Sequence, residues 1–308
     1  MPAWLRDLSG ARLAVIGADG FIGSHVVRFA LGAGASVLGV CLQDPWRLAD
    51  VEDARLERVW AAREGLGRVG ALPALGRVDA VVWLAYVPPA PGGDALRHER
   101  AVNVEAARRA AELPAPVVFA SSASVYGGTP TLPADERLDP SPASPYAIAK
   151  LEAEEALHDS GPILRIATVF GPGENGPRAV PAFIRALSAG RPAPVDGDGS
   201  DVYDYVQVGD VAAAVLNAAA APERGVLNVG SGRGRSTLEV LAAVAAALGV
   251  RARAEHRPSS RAPAHVVLEV GRARTRLGLE PRVELGQPLA EEAAWLTHAL
   301  GRRANVAG

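Results

Sequence analysis

Three glycines at three-residue spacing, Gly17-Ala-Asp-Gly20-Phe-Ile-Gly23, follow the apolar run Arg12-Leu-Ala-Val-Ile and open a stretch of helical pattern. No other feature narrows the choice of fold as much. A strand that turns directly into a helix needs residues without a Cβ, both for the tight turn and for close packing of helix on strand. The same absence of side chains lets a phosphate approach the backbone, and the helix N-terminus favours its negative charge. The segment therefore reads as a pyrophosphate cradle for a dinucleotide or, more blandly, as a structural strand-to-helix turn.

The surrounding pattern supports the strand–turn–helix context. Strands are expected over Arg12–Gly17, Ser36–Val40, Asp79–Leu84 and Pro116–Ala120, with helices over Gly23–Gly32 and His98–Leu113. Such alternation implies right-handed crossovers and a parallel sheet covered on both faces. From about Phe170 the chain turns to Pro- and Gly-punctuated segments, with helices expected over Val180–Ala189, Val211–Ala221 and Ser236–Leu248 and strands over Val202–Val208 and Gly225–Gly230. The expected architecture is α/β, a Rossmann-type doubly wound parallel sheet with a smaller, interleaved C-terminal substrate lobe. The dinucleotide-binding part takes residues 1–168 with return segments at about 205–232, and the lobe takes 169–204 and 233–304. The cleft between them is the expected site.

Composition excludes several classes of function. At 49% apolar and 21% charged residues the 308-residue chain can bury a substantial core, and its net charge of −2 comes from interspersed signs, so no polyanion footprint exists and nucleic acid is not an expected partner. The lone Cys41 cannot form an internal disulfide, and the six histidines make no metal-binding spacing, so no metal is expected. Val240–Val250 is the longest apolar run and falls far short of the roughly 20 residues of a membrane span. With no signal-peptide pattern at the N-terminus, the expected location is the cytoplasm.

Two further motifs carry chemistry. Ala120-Ser-Ser-Ala-Ser-Val-Tyr-Gly127 ends an expected strand, and Tyr146-Ala-Ile-Ala-Lys150 follows the helix-start signal Ser144-Pro145. Four-residue spacing puts Tyr146 and Lys150 on one helical face; alone, such a pair is most simply a surface contact. Together with the glycine segment, Trp83-Leu-Ala85, Asn103-Val, Leu164-Arg165 to Gly171-Pro-Gly173, Asp204-Tyr-Val, Asp210-Val-Ala, Asn228-Val-Gly-Ser-Gly232 and Leu277-Gly-Leu-Glu-Pro281, the sequence resembles the extended short-chain dehydrogenase/reductase family, in particular its nucleotide-sugar 4-epimerases.

The resemblance implies a bound NAD, held by Gly17, Gly20, Phe21, Ile22, Gly23, Leu84, Ala85, Tyr146 and Lys150. It implies Tyr146 as acid/base, Lys150 as the cation that lowers the phenol's pKa and holds the nicotinamide ribose, and Ser122 as the hydroxyl that orients the reacting oxygen. Ser124 would share the face of Ser122 if the segment stays extended, placing it toward substrate, while Ser121 would point elsewhere. The family's dehydratases and decarboxylases carry acidic residues directly after the Ser122 position, where this chain has Ala123 and Ser124.

The chain also departs from the family pattern. Cys41 stands where an acid binds the adenosine ribose, which leaves NAD or NADP open, with Asp44 and Arg47 nearby as solvated loop residues or ribose contacts. Thr168 and Tyr203 replace an Asn and an Arg that hold the substrate's diphosphate, leaving Arg257, with Arg261 and Arg178 as substitutes. The expected function is an NAD(P)-dependent epimerase of a nucleotide-activated sugar, the 4-position favoured. A reductase or dehydrogenase of a ketosugar or other small hydroxylated metabolite would use the same groups. A non-catalytic dinucleotide sensor would not need Ser122, Tyr146 and Lys150 together. The resemblance implies a homodimer through the His98–Leu113 and Tyr146-bearing helices, whose Ala147, Ala149 and Ala153 would allow close packing.

Overall fold

The computed structural model describes residues 1–42, 46–61, 76–128, 132–259 and 263–306, with side chains described as far as His298. The apolar runs form a seven-stranded parallel sheet in the order β10-β6-β5-β4-β1-β2-β3. Its strands are β1 (Arg12–Ile16), β2 (Ser36–Cys41), β3 (Leu56–Trp60), β4 (Ala80–Trp83), β5 (Val117–Ser122), β6 (Pro162–Ile166) and β10 (Gly225–Val229). Between β1 and β4 the direction of winding reverses, so their carboxyl ends splay apart and leave the crevice in which such sheets bind ligands.

Strand β3 is absent from the expected set, and the structure shows why. It is an edge strand in which only Leu56 is buried, so Leu-Glu-Arg-Val-Trp carries neither the continuous apolar run of an inner strand nor a clean alternation. The inner strands β1, β4 and β6 are buried along almost their whole length. One face of the sheet is covered by α1 (Phe21–Gly32) and α6 (Val208–Ala220). The other is covered by α3 (Glu105–Ala110) and α4 (Pro145–Leu157).

The helix expected over His98–Leu113 is a composite. It starts as α2 (Ala95–Glu99), capped by the Asp94 side chain, which accepts from the Arg97 N–H at 3.0 Å. It widens into a π turn over Arg100–Val104 and continues as α3. A π turn inserts a residue into the helical ladder and re-aims the side chains on either side of it. Ala147, Ala149 and Ala153 of α4 are only 1%, 3% and 3% exposed within the single chain. Their face is therefore already covered by the chain's own core, and is not open to a second copy.

After β6 the chain leaves the sheet. Strands β7 (Thr168–Phe170), β9 (Val202–Gln207), β11 (Gly234–Ser236) and β13 (His265–Val266) form a second sheet centred on β9. β8 (Ala193–Asp196) pairs with β12 (Ala254–Arg257). Helices α5 (Ala179–Ser188), α7 (Thr237–Leu248) and, following the short α8 (Gly271–Leu277), α9 (Gly286–Val306) close a separate apolar core around Phe170, Phe183, Ile184 and Leu289. β10 and α6 return to the large sheet, whereas β9 belongs to the smaller one.

That smaller core contains two carboxyl groups. Glu292 on α9 is fully buried and Glu174 is 4% exposed, and among the described residues neither Glu292 oxygen has a hydrogen-bond partner of full geometry. Burial, then the charge of Glu174, pushes Glu292 up to about 9, and burial pushes Glu174 up to about 7 against the pull of Arg178 and Arg185. Folding therefore favours the protonated form of Glu292. Its contribution to stability is complete below the ordinary value of 4.5 and is lost as pH rises toward about 9. Glu292→Gln, which cannot ionise, is expected to match the wild type at pH 5 and to exceed its stability by ~1 kcal/mol or more at pH 9. Thermal unfolding midpoints at the two pH values test this, and an unchanged difference between them would contradict it.

Candidate active site

The glycine turn sits at the carboxyl end of β1. Gly17 has φ +88°, open to glycine but strained for other residues, and a Cβ there would lie 3.0 Å from the Ala85 backbone. A Cβ at Gly23 would lie 2.0 Å from the Gly17 carbonyl oxygen. The end of β1, the start of α1 and the end of β4 thus meet backbone to backbone, and no side chain could stand between them. Gly20 caps α1 with an extended conformation, φ −71° and ψ 172°, that any residue can adopt. The loop is thus a cradle that a side chain would fill, and it fits a dinucleotide pyrophosphate at the N-terminus of α1. Phe21 and Ile22 open that helix, and Leu84 and Ala85 follow β4.

Beyond the cradle, a cleft of about 530 Å³ is lined by Ile22, Leu84, Ser122, Ser124, Tyr146, Lys150, Thr168 and Tyr203, all singled out by the sequence. Arg257 is elsewhere. It lines an adjoining cavity of about 550 Å³ beside Arg178, Arg191 and Tyr203. The two cavities share Arg178, Ala179, Tyr203 and Tyr205, so they lie side by side.

Ser122 is the last residue of β5, and its hydroxyl shares the cleft with the Tyr146 phenol. The chain then coils into a 3-10 turn over Ala123–Tyr126, so the segment is not extended as the shared face of Ser122 and Ser124 required. The two serines come together by a different route: the Ser124 hydroxyl donates to Ser122 Oγ at 2.9 Å, and its N–H lies 3.2 Å from the same oxygen. Ser121 points away, as expected, donating from a buried position to Glu154.

Ser144 caps α4 through its side chain, with Pro145 at the first helical position, and this fixes where Tyr146 and Lys150 emerge. Lys150 Nζ donates to the Ala120 carbonyl at 2.7 Å and lies 5.8 Å from the centre of the Tyr146 ring. Burial pushes the ammonium down to about 8, opposed by Glu99 and Glu154. The Tyr146 phenol is pushed up by burial and pulled down by Ser122 and Arg178. Lys150 is the only lysine among 32 basic residues. Its uniqueness is a compositional signal that the sequence carries.

Other motif residues prove structural. Tyr126 donates to Asn228 Oδ1 at 2.8 Å, and Arg165 pairs with Glu154 at 2.7 Å with both side chains buried. Asp204 accepts from the Ser231 hydroxyl at 2.6 Å and from the backbone of Ser231 and Gly232, clamping the loop after β10 onto β9. Cys41 is fully buried at the end of β2, its thiol pushed up to about 11 by burial and by Asp19. Arg47 is not a solvated loop residue: it donates to Gly173 O at 3.0 Å, Asp19 O at 3.2 Å and Asn175 Oδ1 at 2.8 Å, joining the glycine loop to the smaller lobe. Asp44 and Arg261 lie outside the described residues. Two residues that the sequence reading passed over also face the site: Tyr86, packed edge-on against Tyr146, and through it Glu99.

The glycines give a test that separates binding from folding. Gly20→Val is expected to weaken dinucleotide binding at least tenfold while the protein stays folded. Gly23→Ala, which collides with the backbone, should cost about 3 kcal/mol of stability. Calorimetric titration with NAD and thermal unfolding of both variants check this; normal NAD affinity in folded Gly20→Val would make the loop purely structural.

Residues 13–230 match the model of the NAD dependent epimerase/dehydratase family. The chain is 32% identical to a UDP-glucose 4-epimerase of Mycolicibacterium smegmatis, over 91% of this chain and 96% of that one. It is 29% identical to a UDP-glucose 4-epimerase of Azospirillum brasilense, over 90% and 89% of the two chains. Among solved structures, MoeE5 in complex with UDP-glucuronic acid and NAD superposes with a TM-score of 0.81 at 29% identity, covering 94% of this chain and all of that one. The UDP-N-acetylglucosamine 4-epimerase of Methanobrevibacter ruminantium M1 shares the fold at a TM-score of 0.84 and 24% identity, over 94% and 99% of the two chains. With a family model spanning most of its length and these glycine, serine, tyrosine and lysine positions gathered around one crevice, the chain belongs to the NAD dependent epimerase/dehydratase family.

Proposed function

We propose that the chain is an NAD-dependent 4-epimerase of a nucleotide-activated sugar. The observation that carries this reading is the convergence of Ser122, Tyr146 and Lys150 on one cleft, with Ala123 and Ser124 in place of the carboxylates that elimination or decarboxylation would need. The relatives named as UDP-glucose 4-epimerases support it.

Bound NAD supplies the hydride acceptor and donor. Ser122 orients the reacting hydroxyl by hydrogen bonding, and Tyr146 removes its proton as the alcohol becomes a ketone. Lys150, as an ammonium, stabilises the Tyr146 phenolate that accepts this proton. After the ketone turns over in the cleft, Tyr146 returns the proton to the oxygen on re-reduction from the other face. The nucleotide diphosphate lies in the cavity lined by Arg178, Arg191 and Arg257, where guanidinium groups can meet phosphate oxygens bidentately. The assembly is a homodimer using the outward faces of α2 to α4, acting in the cytoplasm. No helix among the described residues is long and apolar enough to cross a membrane.

A reductase of a ketosugar is the second reading, favoured by Thr168 and Tyr203 standing in the cleft where phosphate-holding groups were expected. Cofactor retained by the purified protein supports epimerisation, since internal recycling needs no exchange.

Incubation with UDP-glucose and chromatographic detection of UDP-galactose is the direct assay. Tyr146→Phe is expected to abolish turnover and leave NAD binding within about twofold; an active Tyr146→Phe enzyme removes the proposed base. Wild-type activity should fall above about pH 8, as Lys150 loses its proton. Arg257→Ala should weaken UDP binding about tenfold, the equivalent of roughly 1.4 kcal/mol. Unchanged UDP affinity in this variant would move the diphosphate away from the second cavity. Light scattering should give a particle of about twice the 31.8 kDa chain mass, and a monomer would end the dimer reading.

A further inference from the structure

Glu99 has no part in the mechanism above, yet it is a carboxylate only 1% exposed and one side chain removed from the reacting phenol. Its Oε1 accepts the Tyr86 hydroxyl at 2.6 Å and its Oε2 accepts Asn103 Nδ2 at 2.8 Å. Asn103 is itself fixed, donating to Val87 O at 2.9 Å and accepting from the Val87 N–H at 3.0 Å. The Tyr86 ring stands perpendicular to the Tyr146 ring with centroids 5.1 Å apart. Lys150 Nζ is 6.0 Å from the centre of the Tyr86 ring. Burying a carboxylate is costly, and an apolar residue of similar size would fill the space without that cost. A charge held there must therefore be explained by what it faces.

Tyr86, whose hydroxyl Glu99 holds, sets its ring beside a buried cation that lacks a carboxylate in direct contact, Lys150. Lys150 donates to a neutral carbonyl, and among the described residues no salt bridge forms to it or to Glu99. The second carboxylate that acts on Lys150, Glu154, is already neutralised by Arg165 at 2.7 Å. Arg178 and Ser122 also act on Tyr146, and His98, the neighbour of Glu99, is turned to the Val87 carbonyl at 3.1 Å.

We propose that Glu99 is a positioning residue, the buried countercharge that keeps Lys150 protonated at neutral pH, and that Tyr86 tethers it to the Tyr146 ring. The proposal rests on the catalytic reading of Tyr146 and Lys150, but its test does not need turnover. Burial drives the Lys150 ammonium toward losing its proton, and the negative charge of Glu99 opposes that loss. Removing the charge must therefore lower the pH at which Lys150 deprotonates.

Because Lys150 is the only lysine, protein made with lysine labelled with carbon-13 at the ε-position gives one resonance whose pH titration reports this group alone. The wild-type midpoint is expected near 8. In Glu99→Gln it should fall by about one pH unit, the order expected for a charge several ångströms away at intermediate dielectric. A folded Glu99→Gln protein whose midpoint matches the wild type, or rises, overturns the proposal. If that variant does not fold, Glu99→Leu combined with Tyr86→Phe removes both polar partners together and must show the same downward displacement. Loss of the proposal in this titration is distinct from loss of the catalytic reading, which falls only if Tyr146→Phe stays active.

Discussion

The contact on which the rest of the structure depends is the one between the Gly17 carbonyl and Gly23, where a single methyl group would be 2.0 Å from the oxygen. That contact seats α1 on the end of β1. The same turn brings Gly17 against the Ala85 backbone, so the carboxyl end of β4 lies beside it. Any side chain there would push β1, β4 and α1 apart, and the crevice at the reversal of winding would lose its floor. The site follows from this close approach, because Ser122, Tyr86 and Lys150 are placed by strands and a helix that are registered against β1 and β4.

A set of buried polar ties then fixes the smaller lobe to the sheet. Asp204 on β9 holds the loop that follows β10, and Asn228 on β10 accepts from Tyr126 and donates to Ala134 and Glu269 carbonyls at 2.9 and 3.1 Å. Each buried group is satisfied by donors or acceptors from a different element, so breaking one leaves several unpaired. Such ties add specificity of arrangement more than net stability. They account for most of the family-like motifs beyond the catalytic ones: Tyr126, Arg165, Asp204 and Asn228 each tie one element to another.

The charged groups left inside lie beside the site in one place and in an apolar core in another. Glu99 is supplied with two donors and set beside the site, whereas Glu174 and Glu292 meet burial with little compensation in the core of the smaller lobe. The first arrangement holds a charge; the second favours a proton. Both lie outside the motifs, and both depend on the identity of residues brought together from separate elements.

How far the sequence reached can be judged residue by residue. It determined the parallel sheet and the shared helical face of Tyr146 and Lys150, because these features are local: burial on both faces leaves a continuous apolar run, and four-residue spacing fixes a helical face, whereas the roles given to Ser122, Tyr146 and Lys150 came from the resemblance to the family. It did not reveal β3, an edge strand with one buried residue, nor the π turn after Glu99, since neither leaves a periodic signature. Only the tertiary structure turned the alanine face of α4 inward, coiled the backbone at Ser124, moved Arg257 into a neighbouring cavity and set Tyr86 and Glu99 against Tyr146. These outcomes rest on contacts between residues far apart in the chain, whose distances are decided by how helices and sheets pack and not by any pattern within one segment.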